Sequence, residues 1–407
     1  MAQLKYPSKK FFLSFTSITF SNLIVNLSTF AVMAIAPLKL NVDGFASLSL
    51  ASSSAMVLCS LTDFGLNVTI VKKYSESKSD GFLDVLLAIK GLLFAIGILA
   101  LFFSFFAVGV PKFWLIAFAA GVSLNYWTGL RTCEQAQQNY TAYASANFRF
   151  AAIRLAAGSL AVYTGSWVLV LVAVYVIPPA FAAINDCRRF ARRLNFFSRE
   201  KFTEVATYSK IVFVSSVCFA AMPYLPQYLM HQRLSTTEVA TYGLIITFIG
   251  PVSLVAYSLR TLLLPKMCQN ENFLVSMFSS RREVVKLISA LVGIVVLIVA
   301  VALCIDALYG AKYPKLFSGF ITFSIPYLLT AVLGLFNMRL HALGAPHLEM
   351  KVNIFRLLAL SCIVYAWGTT FNSIVFIAAM TIFLSEVVLT YAVWKARLEM
   401  SVIGSSL

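Results

Sequence analysis

The 407-residue sequence has few charged residues. They make up 12% of the chain, whereas hydrophobic residues make up 60%. A water-soluble domain carries roughly a quarter charged residues, so the composition excludes an ordinary soluble protein. The apolar residues occur in runs of about 20, the length of a helix that crosses a bilayer. The sequence therefore predicts an all-α polytopic membrane protein.

Cysteine and histidine are also sparse. The seven cysteines show no C-x-x-C spacing, and the three histidines lie far apart. This pattern indicates small core residues, with neither a disulfide framework nor a metal site. The sequence shows no nucleophile triad, phosphate loop or glycine fingerprint. We therefore expect a protein that is not an enzyme and needs no metal or cofactor.

Basic residues are twice as numerous as acidic residues, with 32 Lys and Arg against 16 Asp and Glu. In a soluble chain the net charge of +16 would indicate a nucleic-acid partner. In a membrane protein, Lys and Arg accumulate in cytoplasmic loops, so we expect no nucleic acid here. With a cytoplasmic N-terminus, 26 of the 32 basic residues fall inside, five fall outside and Lys90 lies within a span. This bias predicts that both termini are cytoplasmic.

The hydrophobic runs predict twelve membrane spans joined by short connections. The first run is too long for the apolar part of a signal peptide, so it is expected to remain as a helix. The predicted spans are 11–37, 44–71, 84–109, 113–131, 148–165, 167–185, 209–230, 238–265, 284–307, 316–339, 353–368 and 372–394.

The two halves of the chain show a weak internal repeat. At an offset of 196, "DGFASLSLASS" (43–53) aligns with "VATYGLIITFI" (239–249), and "AIKGLLFAIGI" (88–98) aligns with "VVKLISALVGI" (284–294). With a larger shift, "ANFRFAA" (146–152) aligns with "VNIFRLL" (352–358). Two halves of six spans each must share one orientation, and parallel repeats of this kind suit alternating access around a central cavity. The predicted domains are a six-helix lobe over 1–186, a basic cytoplasmic linker over 187–208 and a second six-helix lobe over 209–407.

Several basic side chains lie at membrane depth, where an unpaired charge costs at least ~2.5–3.5 kcal/mol. Each either reaches the cytoplasmic surface with its long side chain or contributes to a cationic vestibule that opens inward. We regard Lys90 and Arg260 as the strongest candidates for the vestibule. The full candidate set is Lys90, Arg154, Arg260, Arg131 and Arg339.

The first span carries a polar face, formed by Ser14, Ser17, Ser21, Asn22 and Asn26 and continued by Ser28 and Thr29. This face either packs against neighbouring helices or lines a hydrated path. Asp63 interrupts the second span. It is either the partner of a cavity cation or a buried carboxylate beside a close helix contact at Gly65.

Four segments carry a resemblance to a known family. The segment "NVDGFASLSLASSSAMVLCSLTDFGLNVTIVKKYSE" (41–76) resembles the signature region of polysaccharide flippases in the multidrug/oligosaccharidyl-lipid/polysaccharide (MOP) exporter superfamily. The link between helices four and five of that family resembles "GLRTCEQAQQNYTAYASANFRFAAIRL" (129–155). Its entry to helix eight resembles "TTEVATYGLIITFIGP" (236–251), and its link between helices ten and eleven resembles "LHALGAPHLEMKVNIFR" (340–356). Within this family, the sequence is most similar to the O-antigen type of flippase from Gram-negative bacteria.

The resemblance implies transfer of an undecaprenyl-pyrophosphate-linked oligosaccharide to the periplasmic leaflet of the bacterial inner membrane. It implies that cavity cations hold the pyrophosphate, with Lys90, Arg154 and Arg260 as the matching residues. We also expect a monomer that contacts other polysaccharide-assembly membrane proteins. Two alternatives stay open: a polytopic polysaccharide polymerase or ligase, and a multidrug exporter of the same superfamily.

Overall fold

The computed structural model describes residues 9–106, 112–184, 199–250, 281–337 and 346–404. In these ranges, every regular element is an α-helix. The helices are α1 (Lys9–Lys39), α2 (Val42–Asp63), α3 (Leu66–Ser77), α4 (Gly81–Phe106), α5 (Lys112–Ala136), α6 (Tyr140–Tyr163), α7 (Trp167–Tyr175), α8 (177–184), α9 (Arg199–Ala221), α10 (Leu225–Arg233), α11 (236–250), α12 (Arg281–Tyr309), α13 (Leu316–Asn337), α14 (Pro346–Trp367) and α15 (Phe371–Gly404).

Most of the predicted spans correspond to single helices. Among the described residues, nine helices are long and apolar enough to cross a membrane, and the two segments of α9 together form a tenth candidate. Helix α6 matches the predicted fifth span but carries the polar residues Asn147, Arg149 and Arg154. The predicted eighth span, 238–265, lies partly outside the described residues.

The chain divides into two compact units, Met1–Phe213 and Val214–Leu407. In the N-terminal unit, α1 packs along α6, while α5 contacts α2, α3, α4, α6 and α7. The central position of α5 follows from small residues such as Ala119, Ala120 and Gly121, which let neighbouring backbones approach closely. In the C-terminal unit, α13 and α14 both pack against α15. The predicted lobe boundaries stay a prediction, although α9 already begins at Arg199, within the predicted linker.

The second span of each half begins with a polar cap. The Asn41 side chain accepts a hydrogen bond from the backbone N–H of Gly44 at the start of α2, at 2.8 Å. In the second half, Ser235 and Glu238 form a capping box at the start of α11, in which each side chain accepts from the other residue's backbone N–H. These caps lie 194 residues apart, close to the offset of the predicted repeat.

A pair of equivalent hydrogen bonds also relates the two halves. Asn147 of α6 donates to Ser21 of α1 at 3.1 Å, and Asn353 of α14 donates to Ser215 of α9 at 3.1 Å. Asn147 and Asn353 stand at the same place in the two aligned segments of the repeat. The same helix pair is therefore joined by the same bond in each unit, which supports a structural duplication.

The second predicted span is broken into α2 and α3. Phe64 and Gly65 both adopt left-handed backbone conformations, with φ of 51° and 70°. A Cβ on Gly65 would lie 2.6 Å from the carbonyl oxygen of Ser209 and 2.8 Å from the amide nitrogen of Phe213. Glycine is therefore required both by the backbone conformation and by the close approach of α9.

We expect Gly65→Ala to destabilise the protein by more than the roughly 1–3 kcal/mol of a strained backbone alone. Gly165→Ala is the matched control, because Gly165 has a φ of 69° and no atom within 4 Å of its missing Cβ. Unfolding of both variants in detergent by circular dichroism isolates the contact with α9. Equal losses of stability would contradict the close packing at Gly65.

Candidate functional site

Arg154 cross-links three helices of the N-terminal unit. Its side chain is 3% exposed, its Nε donates to the Val174 carbonyl at 2.9 Å, and its Nη1 donates to Val25 and Thr29 of α1. Val174 would normally accept from residue 178, but Pro178 has no N–H. Arg154 therefore donates to the Val174 carbonyl, which lacks a backbone donor at the junction of α7 and α8. As folded, Arg154 neither extends to a surface nor faces an open cavity, and its substrate-binding role stays a prediction.

Replacing Arg154 with methionine is expected to cost about 1–3 kcal/mol, because the Val174 carbonyl is left without a donor. Pro178→Ala supplies a backbone N–H beside that carbonyl. The cost of Arg154→Met should therefore shrink by about 1 kcal/mol in the Pro178→Ala background. A double-mutant cycle on unfolding free energies measures this coupling, and strictly additive effects would refute the proposed role of Arg154.

Lys90 of α4 is completely buried, and its ammonium group lies among side chains of α2, α3 and α5. It donates to Asp63 Oδ1 at 2.7 Å, to Asn67 Oδ1 at 2.8 Å and to Asn125 Oδ1 at 2.7 Å. The Asn125 carbonyl lies 3.3 Å away. Asp63 is therefore the ion-pair partner of Lys90. As folded, Lys90 does not extend to a surface, and its role in a cationic vestibule stays a prediction.

The polar face of α1 divides into packed and open positions. Ser21 is fully buried, whereas Asn26 is exposed and donates to the Asn22 carbonyl. The Asn22 side-chain oxygen accepts from Arg131, Tyr143 and Asn147. The inner part of this face thus packs against α5 and α6. Ser17 is half-buried, and the Ser14 side chain lies outside the described residues.

Arg131 lies at a cavity of about 600 Å³ within the N-terminal unit. The lining comes from α4, α5, α6 and α8 and combines aromatic with charged side chains. Trp127 and Phe150 stack with their ring centroids 4.1 Å apart. The aromatic and charged lining residues are Tyr126, Trp127, Arg131, Glu134, Tyr143, Arg149, Phe150 and Phe181.

The cavity lining carries two buried donors without a hydrogen-bond partner, Trp127 Nε1 and Arg131 Nε. They stand one helical turn apart on α5, so they lie on the same face of the helix. Unpartnered buried donors are costly, and both belong to side chains that line the cavity. With two arginines and one glutamate, the charged lining has a formal net charge of +1. The cavity therefore suits an anionic ligand.

The C-terminal unit contains a buried ion pair between α14 and α15. Arg356 Nη2 lies 2.6 Å from Glu386 Oε2, with the two side chains 2% and 7% exposed. The remaining predicted cations, Arg260 and Arg339, lie outside the described residues. Sequence reasoning did not single out Trp127, Tyr143, Asn147 or Arg149 as site residues. The spacing of Trp127 and Arg131 on one helix face was the available signal.

No protein-family model matches the chain, and no curated protein matches its sequence. Solved structures do match. One is an inward-facing multidrug resistance MATE family transporter of the MOP superfamily, with a TM-score of 0.67 and 12% identity over 95% of this chain and 96% of that one. A structure of MATE in the straight conformation gives a TM-score of 0.63 and 12% identity, with 96% of both chains covered. The fold is that of the MATE transporters.

A Vibrio cholerae MATE transporter also matches, with a TM-score of 0.56 and 14% identity over 94% of this chain and 96% of that one. The MATE fold confirms the predicted fold class, an all-α membrane protein with the twelve-helix, two-repeat architecture. At these identities the likeness concerns the fold. The substrate must therefore be inferred from the residues of this chain.

Proposed function

We propose that the protein is a transporter that moves a lipid-linked oligosaccharide from the cytoplasmic to the outer leaflet of the bacterial inner membrane. The observation that carries the proposal is the cavity of the N-terminal unit, whose lining includes Arg131, Arg149 and the unpartnered donors Trp127 Nε1 and Arg131 Nε. A pyrophosphate group offers many acceptor oxygens, and arginine binds such groups through paired, charge-assisted hydrogen bonds. The MATE fold supports transport as the general activity.

The shape and lining of the cavity fit the non-lipid part of such a substrate. Its volume of about 600 Å³ is typical of a small-ligand site. The stacked Trp127 and Phe150 rings offer an apolar surface for the faces of sugar rings. The polyprenyl tail would stay in the bilayer. If the N-terminus is cytoplasmic, as the excess of basic residues on one side predicts, the α5–α6 connection lies on the cytoplasmic side.

A multidrug exporter is the second candidate. A multidrug resistance MATE family transporter is among the similar structures, and Glu134 in the cavity lining would attract an organic cation. Two observations favour the anionic substrate. The lining has a net positive charge, and the carboxylates of Asp63 and Glu386 each bond to a basic residue. Neither carboxylate is thus poised to exchange a coupling cation in this conformation.

Complementation distinguishes the two candidates. Expression in a strain that lacks its polysaccharide flippase should restore surface polysaccharide without raising resistance to cationic drugs. Raised drug resistance without restored polysaccharide would favour the exporter. Action as a monomer, without a cofactor and beside other polysaccharide-assembly proteins, belongs to the same proposal.

A further inference from the structure

The Lys90 ammonium group lies in a ring of oxygen atoms drawn from three helices. The ring consists of the side-chain oxygens of Asp63, Asn67 and Asn125 at 2.7–2.8 Å, with the Asn125 carbonyl at 3.3 Å. An ammonium group has three N–H donors, so three close acceptors satisfy it fully. Oxygen ligands with a single formal negative charge are also what a hard monovalent cation prefers.

The ring is held in place by bonds that do not involve Lys90. Thr132 donates to the Asn67 side-chain oxygen at 3.0 Å. The Asn125 side-chain amide donates to Thr62 at 3.1 Å, which turns the oxygen of Asn125 toward the centre of the ring. Asp63 ends α2, where the left-handed Phe64 and Gly65 fix its position relative to α3. The oxygen positions should therefore persist when the lysine is replaced.

The ring also has space for the lysine and a route to solvent. Gly129 of α5 leaves room for the Lys90 side chain, because a Cβ on Gly129 would overlap the Lys90 Cδ atom. The Asp63 side chain is 15% exposed, so the ring opens on one side. Shortening the lysine would leave an enclosed, negatively charged space that an ion can reach.

We propose that this ring is a monovalent-cation site, and that the chain's own Lys90 occupies it as a tethered cation. The protein thereby holds α2, α3, α4 and α5 together without an external ion. A Lys90→Ala variant, which removes the side chain beyond Cβ, should expose the site to free cations. Potassium resembles an ammonium group in size more closely than sodium does, so potassium should bind better. The inference rests on the N-terminal unit alone and is independent of the transported substrate.

The test compares thermal unfolding of purified full-length Lys90→Ala in potassium, sodium and choline chloride at one ionic strength. Ligand binding to the folded state raises its melting temperature. We expect Tm to rise by about 2–5 °C from choline to saturating potassium, with a smaller rise in sodium. Methylammonium chloride, which mimics the missing group, should stabilise the variant in the same way. The unaltered protein should show no such dependence.

The Asp63→Asn, Lys90→Ala double variant is the matched control, because it lacks the negative charge that attracts a cation. Its Tm should be the same in all four salts. An equal Tm for Lys90→Ala in every salt, or the same potassium effect in the double variant, would overturn the proposal. If the double variant folds while Lys90→Ala is unfolded in every salt, the proposal is also overturned. That result would show that the ring cannot hold a free ion.

Discussion

Replacing Arg356 with methionine is expected to lower the free energy of unfolding by about 3–5 kcal/mol. The change leaves the Glu386 carboxylate, whose side chain is 7% exposed, buried without its cationic partner 2.6 Å away. A buried charge that loses its partner keeps the full cost of its removal from water. Chemical unfolding of the purified protein in detergent measures the loss.

Two further variants separate the ion pair from general packing. Replacing both Arg356 and Glu386 with methionine removes both charges, so most of the lost stability should return. Lys315→Met breaks an ion pair of similar length, 2.8 Å to Glu238, in which the lysine side chain is 48% exposed. Exposed pairs contribute at most about 1 kcal/mol, so this variant should stay close to the unaltered protein. Similar losses for Arg356→Met and Lys315→Met would contradict the importance of burial.

Replacing Arg131 with glutamine should reduce transport of a pyrophosphate-linked substrate about 10–100-fold. Hydrogen bonds to charged groups contribute about 1.5–3 kcal/mol, and each 1.4 kcal/mol corresponds to a factor of ten. Arg131→Lys keeps the charge but loses the paired geometry, so it should retain intermediate activity. Arg149→Gln should have a smaller effect, because Arg149 is exposed at the cavity.

Arg131 also contacts Asn22 and Tyr143, so a general loss of stability must be separated from a loss of binding. The unfolding free energy of each variant gives that comparison. Lys78→Gln removes a charge from an exposed position outside the cavity and should transport normally. Full transport by Arg131→Gln at normal protein levels would refute its role in binding the substrate.

Composition and hydrophobic runs were sufficient to predict the fold class, because the bilayer dictates helix length and polarity. The positions of individual charges were less predictable. The sequence predicts either a cavity cation as partner of Asp63 or a buried carboxylate beside Gly65, and the structure pairs Asp63 with Lys90, one of the predicted cavity candidates. Asp63 is the last residue of α2, and the break at Phe64 and Gly65 follows it directly. Hydropathy within the span gives no signal of such a break.

Arg154 shows the same limit of sequence reasoning. A basic residue more than a turn inside a span indicates either a surface-seeking side chain or a cavity residue. The structure gives it a third role, since it bonds the carbonyl that Pro178 leaves unsatisfied. Recognising that role requires α6 and α7 to be placed side by side, which neither residue reveals by itself.

Transfer of a pyrophosphate-linked oligosaccharide across sealed vesicles tests the account most directly. Purified protein would be reconstituted with a fluorescent undecaprenyl-pyrophosphate oligosaccharide, and its arrival at the opposite leaflet followed with a membrane-impermeant quencher. We expect transfer above that of protein-free vesicles, lowered about 10–100-fold by Arg131→Gln and unchanged by Lys78→Gln. Transfer no faster than in protein-free vesicles, or equal transfer by both variants, would contradict the account.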